Sequence, residues 1–213
     1  MIYAEGILVT LAAPLLVLLF FASAGTRRVL FFMVLGMTIC LLGAYINTFL
    51  SGLLQVDDLD AVVIVAPMVE EVFKYLPLVF FFLVFDPPRA RLVDAALALG
   101  AGFAIFENAC FLSQYGVEDL LLMILRGLSA GAMHAGCTAF VGIALSFSRS
   151  DGWPRVTAMA GVLVIAIIYH GIYNLLVSFP GNLRLLGYAL PLAFALAMAL
   201  GRVRNAPHTP RPA

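Results

Sequence analysis

Charge is what this chain has least of. Only 11% of its 213 residues are Asp, Glu, Lys or Arg, the formal net charge is zero, and Lys74 is its single lysine. With no basic field to neutralise phosphates, nucleic acid is excluded as a partner. Internal repeats are missing, which weighs against a transporter built from inverted halves. Cysteine is scarce as well: Cys40, Cys110 and Cys137 form no CxxC pair and no zinc-knuckle or disulfide spacing, so each reads as a small packing residue in an apolar run.

Apolar residues fill the chain instead. They make up 63% of it, with a mean hydropathy of +1.07, more than a soluble domain of this length can use. The apolar runs predict spans over 4–24, 29–50, 61–85, 92–113, 120–147, 156–178 and 185–201. The expected fold is all-α, a polytopic membrane helix bundle of about seven transmembrane helices. Residues 1–204 then form one transmembrane domain, with 61–178 as its core, and 205–213 a disordered Pro-rich cytoplasmic tail.

Ala22-Ser23-Ala24 imitates a signal-peptidase site, yet no basic residue precedes the first apolar run and Arg27-Arg28 follow at once. That order predicts an uncleaved span with the N-terminus outside. Seven spans would put Arg27, Arg28, Arg89, Arg91, Arg149, Arg155, Arg202, Arg204 and Arg211 on one side and leave Arg184 alone on the other. The arginine-rich side is cytoplasmic. Asp57, Asp58, Asp60, Glu118 and Asp119 then lie outside, and the C-terminus lies inside.

Four consecutive spans, the third to the sixth, carry groups that lipid would expel. Glu70, Glu71 and Lys74 share the third, and each such charge costs at least about 2.5–3.5 kcal/mol at the bilayer centre. Lys74 is four residues from Glu70 and three from Glu71, so it can neutralise either but not both. Glu107 and Asn108 follow in the fourth span, His134 with Arg126 on the same face in the fifth, and His170 with Asn174 in the sixth. At 1.5 Å per residue, Glu70 lies about 15 Å from one end of its span, and Glu107 and His170 about 20 Å from the opposite ends of theirs, which gathers them in the outer half of the membrane. Arg126 alone could snorkel to headgroups. The Gly127, Gly131, Ala135, Ala139 stripe reads as plain helix packing.

EExxK at Glu70-Glu71-Val72-Phe73-Lys74, FxxxEN ending at Glu107-Asn108, His134 eight before Gly142, and HxxxN at His170-Asn174 occur in that order. This set resembles the PrsW family of membrane proteases over roughly residues 67 to 174, and the outer helices add nothing specific to it. The resemblance implies a glutamic-type intramembrane peptidase, related to CAAX-processing and bacteriocin-processing enzymes, in a bacterial plasma membrane. It implies a single-span, anti-sigma-factor-like substrate and a functional set of Glu70, Glu71, Lys74, Glu107, Asn108, His134, His170 and Asn174.

Peptide hydrolysis needs a base for water, donors for the oxyanion and an acid for the leaving amine. Glu71 or Glu107 would activate water, and His134, His170 and Asn174 would stabilise the oxyanion. The expected enzyme uses no cofactor. The alternative is zinc held by Glu71, Glu107, His134 and His170, against which stands the lack of an HExxH pair. A proton-coupled transporter is the rival outside proteolysis, since buried Glu/His chains also relay protons, and a non-catalytic scaffold is the third reading. The expected topology makes a C-terminal fluorescent-protein fusion bright and a C-terminal alkaline phosphatase fusion inactive; active phosphatase there would overturn the orientation.

Overall fold

Short polar residues start helices where apolar runs begin. The Ser23 side chain accepts from the Thr26 amide at 3.4 Å and Asp57 from the Asp60 amide at 2.8 Å, while Asp119 accepts from the Leu121 and Leu122 amides at 2.8 and 3.2 Å. Each satisfies amides that a first helical turn leaves open. The computed structural model describes residues 3–116, 119–148 and 153–204, with side chains as far as residue 200.

Among the described residues there are seven helices and no strand: α1 (Ala4–Phe21), α2 (Ala24–Leu54), α3, α4 (Arg89–Tyr115), α5 (Leu120–Phe147), α6 (Trp153–Ser178) and α7 (Asn182–Arg204). Helix α3 is continuous through a turn at Asp58–Asp60, a π-helical segment at Ala61–Val65 and an α-helix at Ala66–Phe85. Six of the seven are long and apolar enough to cross a membrane, and α3 is the exception because it carries Glu70, Glu71 and Lys74. The all-helical membrane bundle expected from the apolar runs is therefore what forms. Arg27 and Arg28, expected in a loop, belong to α2, because the Ser23 cap starts that helix before them. The expectations for Glu118, Arg149 and the 205–213 tail, and for the side chains of Arg202 and Arg204, lie outside the described residues.

Polarity is arranged inside out. Phe20, Phe21, Phe49 and Phe80 are exposed, while Glu71, Lys74, His134, Thr138 and His170 are 2% exposed or less. This is the pattern of a bundle solvated by lipid, with polar groups turned inward. Phe82, Leu92, Leu99, Val141 and Leu145 pack into one apolar core. They come from the C-terminal halves of α3 and α5 and the N-terminal half of α4. Toward the opposite end the polar groups gather beside a smaller apolar cluster of Ala130, Met133, Cys137 and Tyr173.

Helix α4 sits between α2 and α5, and glycine permits the approach. A Cβ on Gly100 would lie 2.2 Å from Thr138 Oγ1 and 2.6 Å from the His134 carbonyl oxygen, and one on Gly102 would lie 2.0 Å from the Met33 carbonyl oxygen. The anticipated small-residue stripe takes part unevenly. Ala135 meets Gly100, but a Cβ on Gly131 would meet nothing within 4 Å. Gly100→Val should thus force α4 away from the His134 turn at a cost of about 1–3 kcal/mol, lowering the unfolding midpoint in detergent. Gly161→Val, where a Cβ would meet nothing within 4 Å, should leave it unchanged; equal midpoints for the two variants would contradict this packing.

Candidate active site

Proline begins the construction of the site. Pro67 has no N–H, and its ring would crowd the carbonyl four residues back, that of Val63, in a regular helix. The π-helical Ala61–Val65 segment occupies that turn, a distortion often found at functional sites. Helix α6 fastens onto it: Asn174 Nδ2 donates to the Val62 carbonyl at 2.9 Å, and a Cβ on Gly171 would come within 2.9 Å of the Val63 carbonyl oxygen. His170, next to Gly171, is thereby set against Glu70 and Glu71.

Lys74 resolves the competition between the two glutamates in favour of Glu71. Its Nζ lies 2.5 Å from Glu71 Oε1 and 2.9 Å from His134 Nδ1, and it stands 4.5 Å from the centroid of the Phe103 ring. Glu71 Oε1 also meets His170 Nδ1 at 2.8 Å. An ammonium only donates and a carboxylate only accepts. His134 therefore accepts at Nδ1 and carries its proton on Nε2, where it donates to Glu107 Oε2 at 2.6 Å. By the same logic His170 carries its proton on Nδ1 and leaves Nε2 with a free electron pair. The two rings stand edge to face, 4.9 Å apart.

Glu107 is held from its other side by Arg126 at 3.1 Å. The arginine also hydrogen-bonds Asn108 Oδ1 and lies 3.6 Å from the Phe111 ring centroid, and Asn108 Nδ2 donates to the Gly127 carbonyl at 3.2 Å. Arg126 is thus turned into the bundle. The Glu107 side chain keeps 34% of its surface exposed, against 1% for Glu71. Arg126, Glu107, His134, Lys74, Glu71 and His170 form one unbroken polar chain across α3, α4, α5 and α6.

Glu70 stands at the end of that chain with no lysine or arginine partner among the described residues. Its Oε1 accepts from Asn47 Nδ2 at 3.2 Å, and its Oε2 faces His170 Nε2 at 3.9 Å. With the His170 proton on Nδ1, a carboxylate oxygen and an imidazole electron pair face each other there, beyond hydrogen-bond distance. Such a pair suits a cation, since zinc bonds to N and O run about 2.0–2.2 Å. Donor atoms of Glu70, His134 and His170 lie within 4.8 Å of one another. The Glu71 contact at His170 Nδ1 is the carboxylate partner that metal-binding histidines commonly have. The residues fit a metal, with one condition: His134 has both ring nitrogens engaged and must release one contact to join. This donor set differs from the zinc alternative drawn from sequence, in that Glu70 replaces Glu71, whose Oε1 is shared by Lys74 and His170, and Glu107, whose oxygens meet Arg126 and His134.

Sequence reasoning missed Asn47, because α2 was given no part in the site; an amide inside an apolar run was the available signal. It also passed over Ser129 and Tyr173, whose hydroxyls meet at 3.0 Å, with Ser129 Oγ donating to the Arg126 carbonyl at 3.2 Å. That pair ties the Arg126 turn of α5 to α6. A family model described as PrsW family intramembrane metalloprotease matches residues 24–200. No curated protein and no solved structure matches the chain.

Lys74 joins three partners, so its loss leaves Glu71 buried without a cation. Lys74→Met should cost about 3–5 kcal/mol, as breaking one side of a buried pair does, seen as a lower folded yield and a lower unfolding midpoint in detergent. An unchanged midpoint would show that the Lys74 contacts with Glu71 in α3 and with His134 in α5 do not stabilise the bundle.

Proposed function

The chain belongs to the PrsW family of intramembrane metalloproteases, and from that premise we propose that it cleaves a membrane-anchored, single-span protein at the Glu70, Glu107, His134, His170 cluster. The observation that carries this reading is the approach of Glu70 Oε2 to His170 Nε2 at 3.9 Å, with donor atoms of Glu70, His134 and His170 all within 4.8 Å of one another inside a helical bundle. Helix packing in lipid does not call for a carboxylate set beside two histidine rings, since ionisable groups inside a membrane bundle are costly and mark functional sites.

In this reading Glu70, His134 and His170 would hold a divalent cation such as zinc, which when bound would supply Lewis-acid polarisation and acidification of water. The rest of the work falls to the chain itself. Glu71, fixed by Lys74, keeps the His170 proton on Nδ1 and so keeps Nε2 free. To join the donor set His134 would release Lys74 from Nδ1, the nitrogen that already lacks a proton, and keep the Nε2 proton it gives to Glu107, so that the ring stays neutral and Glu107 stays able to accept a proton. Glu107, the most exposed of the carboxylates in the chain of contacts, accepts a proton from water and returns it to the leaving amine. Arg126 and Asn108 hold its carboxylate in place. Asn174, bonded to the Val62 carbonyl, secures the π segment beneath Glu70, a different role from the oxyanion donor expected from sequence. The anti-sigma-factor class of substrate rests on the resemblance alone.

A second, metal-free reading has its own observation. Glu70, with no lysine or arginine partner among the described residues, retains lone pairs free to take a proton from water directly, as a glutamic-type peptidase requires. The two readings separate in one assay on purified protein with a single-span substrate in proteoliposomes. Exhaustive chelation should abolish cleavage and stoichiometric zinc should restore it, while Glu107→Gln lowers the rate about a hundredfold, as loss of a general base does. Full activity after chelation would shift the base role to Glu70, and absence of cleavage under all conditions would contradict the peptidase reading itself.

A further inference from the structure

At the arginine-rich end of the bundle, α3 and α6 line a cleft. The cleft between them has a volume of 720 Å³ and is lined by Leu83, Val156, Met159, Ala160 and Leu163, with Trp153 and Arg155 at its mouth and Tyr75 at its head. The Tyr75 hydroxyl donates to the Met159 carbonyl at 2.9 Å and joins α3 to α6 at the cleft. From Trp153 to Leu163 the cleft runs about 15 Å along α6 at 1.5 Å per residue. That is half of a hydrocarbon core of about 30 Å, the depth of a single leaflet. An apolar cleft of that length, open to the bilayer, matches one acyl chain.

The mouth specifies the headgroup. The Arg155 guanidinium lies 4.9 Å from the Phe82 ring centroid, and its Nε is buried with no hydrogen-bond partner among the described residues. Arg28, at the same end, has a buried Nε in the same condition, and Arg89 is stacked on Phe147 rather than on a carboxylate. None of Arg27, Arg28, Arg89, Arg91 and Arg155 forms an ion pair with a carboxylate among the described residues. Cationic pockets between transmembrane helices suit anionic lipid headgroups.

We propose that the cleft between α3 and α6 is a binding site for one anionic phospholipid, with an acyl chain along Val156, Met159 and Leu163 and the phosphate on Arg155. Through the Tyr75–Met159 bond at its head, the bound chain braces α3 against α6, the two helices that supply Glu70, Glu71, Lys74 and His170. The site stands independently of the peptidase reading, since its test reads lipid and not cleavage.

The full-length protein is released from nanodiscs holding equal amounts of phosphatidylglycerol and phosphatidylcholine, and retained lipid is counted by native mass spectrometry. Wild type should retain phosphatidylglycerol preferentially. Arg155→Gln should lower that retention about fivefold, the worth of one arginine at a membrane surface, and Arg155→Lys should keep most of it. Ala160→Trp, which fills the cleft without changing charge, should abolish it, and Arg91→Gln, an exposed position outside the cleft, should leave it intact. Equal retention of the two lipids, full retention by Arg155→Gln or Ala160→Trp, or an equal loss in Arg91→Gln would each overturn the site.

Discussion

One carboxylate oxygen, Glu71 Oε1, receives both Lys74 and His170 in an interior almost closed to solvent. A charge buried there survives only with an opposite charge and with its hydrogen-bonding capacity used. Lys74 meets the first requirement and carries the constraint onward, because its ammonium can only donate and so dictates which nitrogen of His134 bears a proton. Two histidine tautomers, the His134 hydrogen bond to Glu107 and the lack of a lysine or arginine partner for Glu70 among the described residues all follow from that single choice of partner. Had Lys74 paired with Glu70 instead, Glu71 would be the uncompensated acid, and His170 would have lost the group that turns its Nε2 toward the site.

The bundle divides its labour along its length. One end is a dense apolar core in which Leu92, Leu99 and Leu145 are fully buried, and that packing holds the helices in a fixed relation. The other end holds the polar chain, where the same helices continue but their facing residues are ionisable. Glycine at 100 and 171 and the π segment before Pro67 set the distances at which the two ends join. A site assembled this way is preorganised by helices rather than by loops, and contacts formed in advance of the reaction are what electrostatic catalysis requires.

Much of this was legible in sequence, for reasons that differ residue by residue. The helices were readable because apolar runs of membrane length have few alternative structures. Glu70, Glu71, Lys74, Glu107, His134 and His170 stood out because an apolar segment does not carry such groups without compensation, and they do gather in one chain of contacts. What could not be read was pairing. Which glutamate Lys74 would choose depends on rotation about α3, and a spacing of three or four residues permits both. Asn47 was hidden because an amide in an apolar span is ordinary helix glue, and nothing local to α2 signals that Glu70 lies opposite. The π segment escaped as well, since Pro67 marks a distortion without specifying its form.

Histidine chemistry gives the most direct test, since the chain holds only His134, His170 and His208. Protein labelled with nitrogen-15 at histidine, compared with its His208→Gln variant, isolates the two buried rings by NMR in micelles. The hub around Glu71 requires His134 to carry its proton on Nε2 and His170 on Nδ1, each as a single tautomer in metal-free protein. Lys74→Gln should release His134 into a mixture of tautomers. Reversed or averaged tautomers in the wild-type protein would contradict the account at its centre, because neither ring would then be oriented by the Lys74–Glu71 pair.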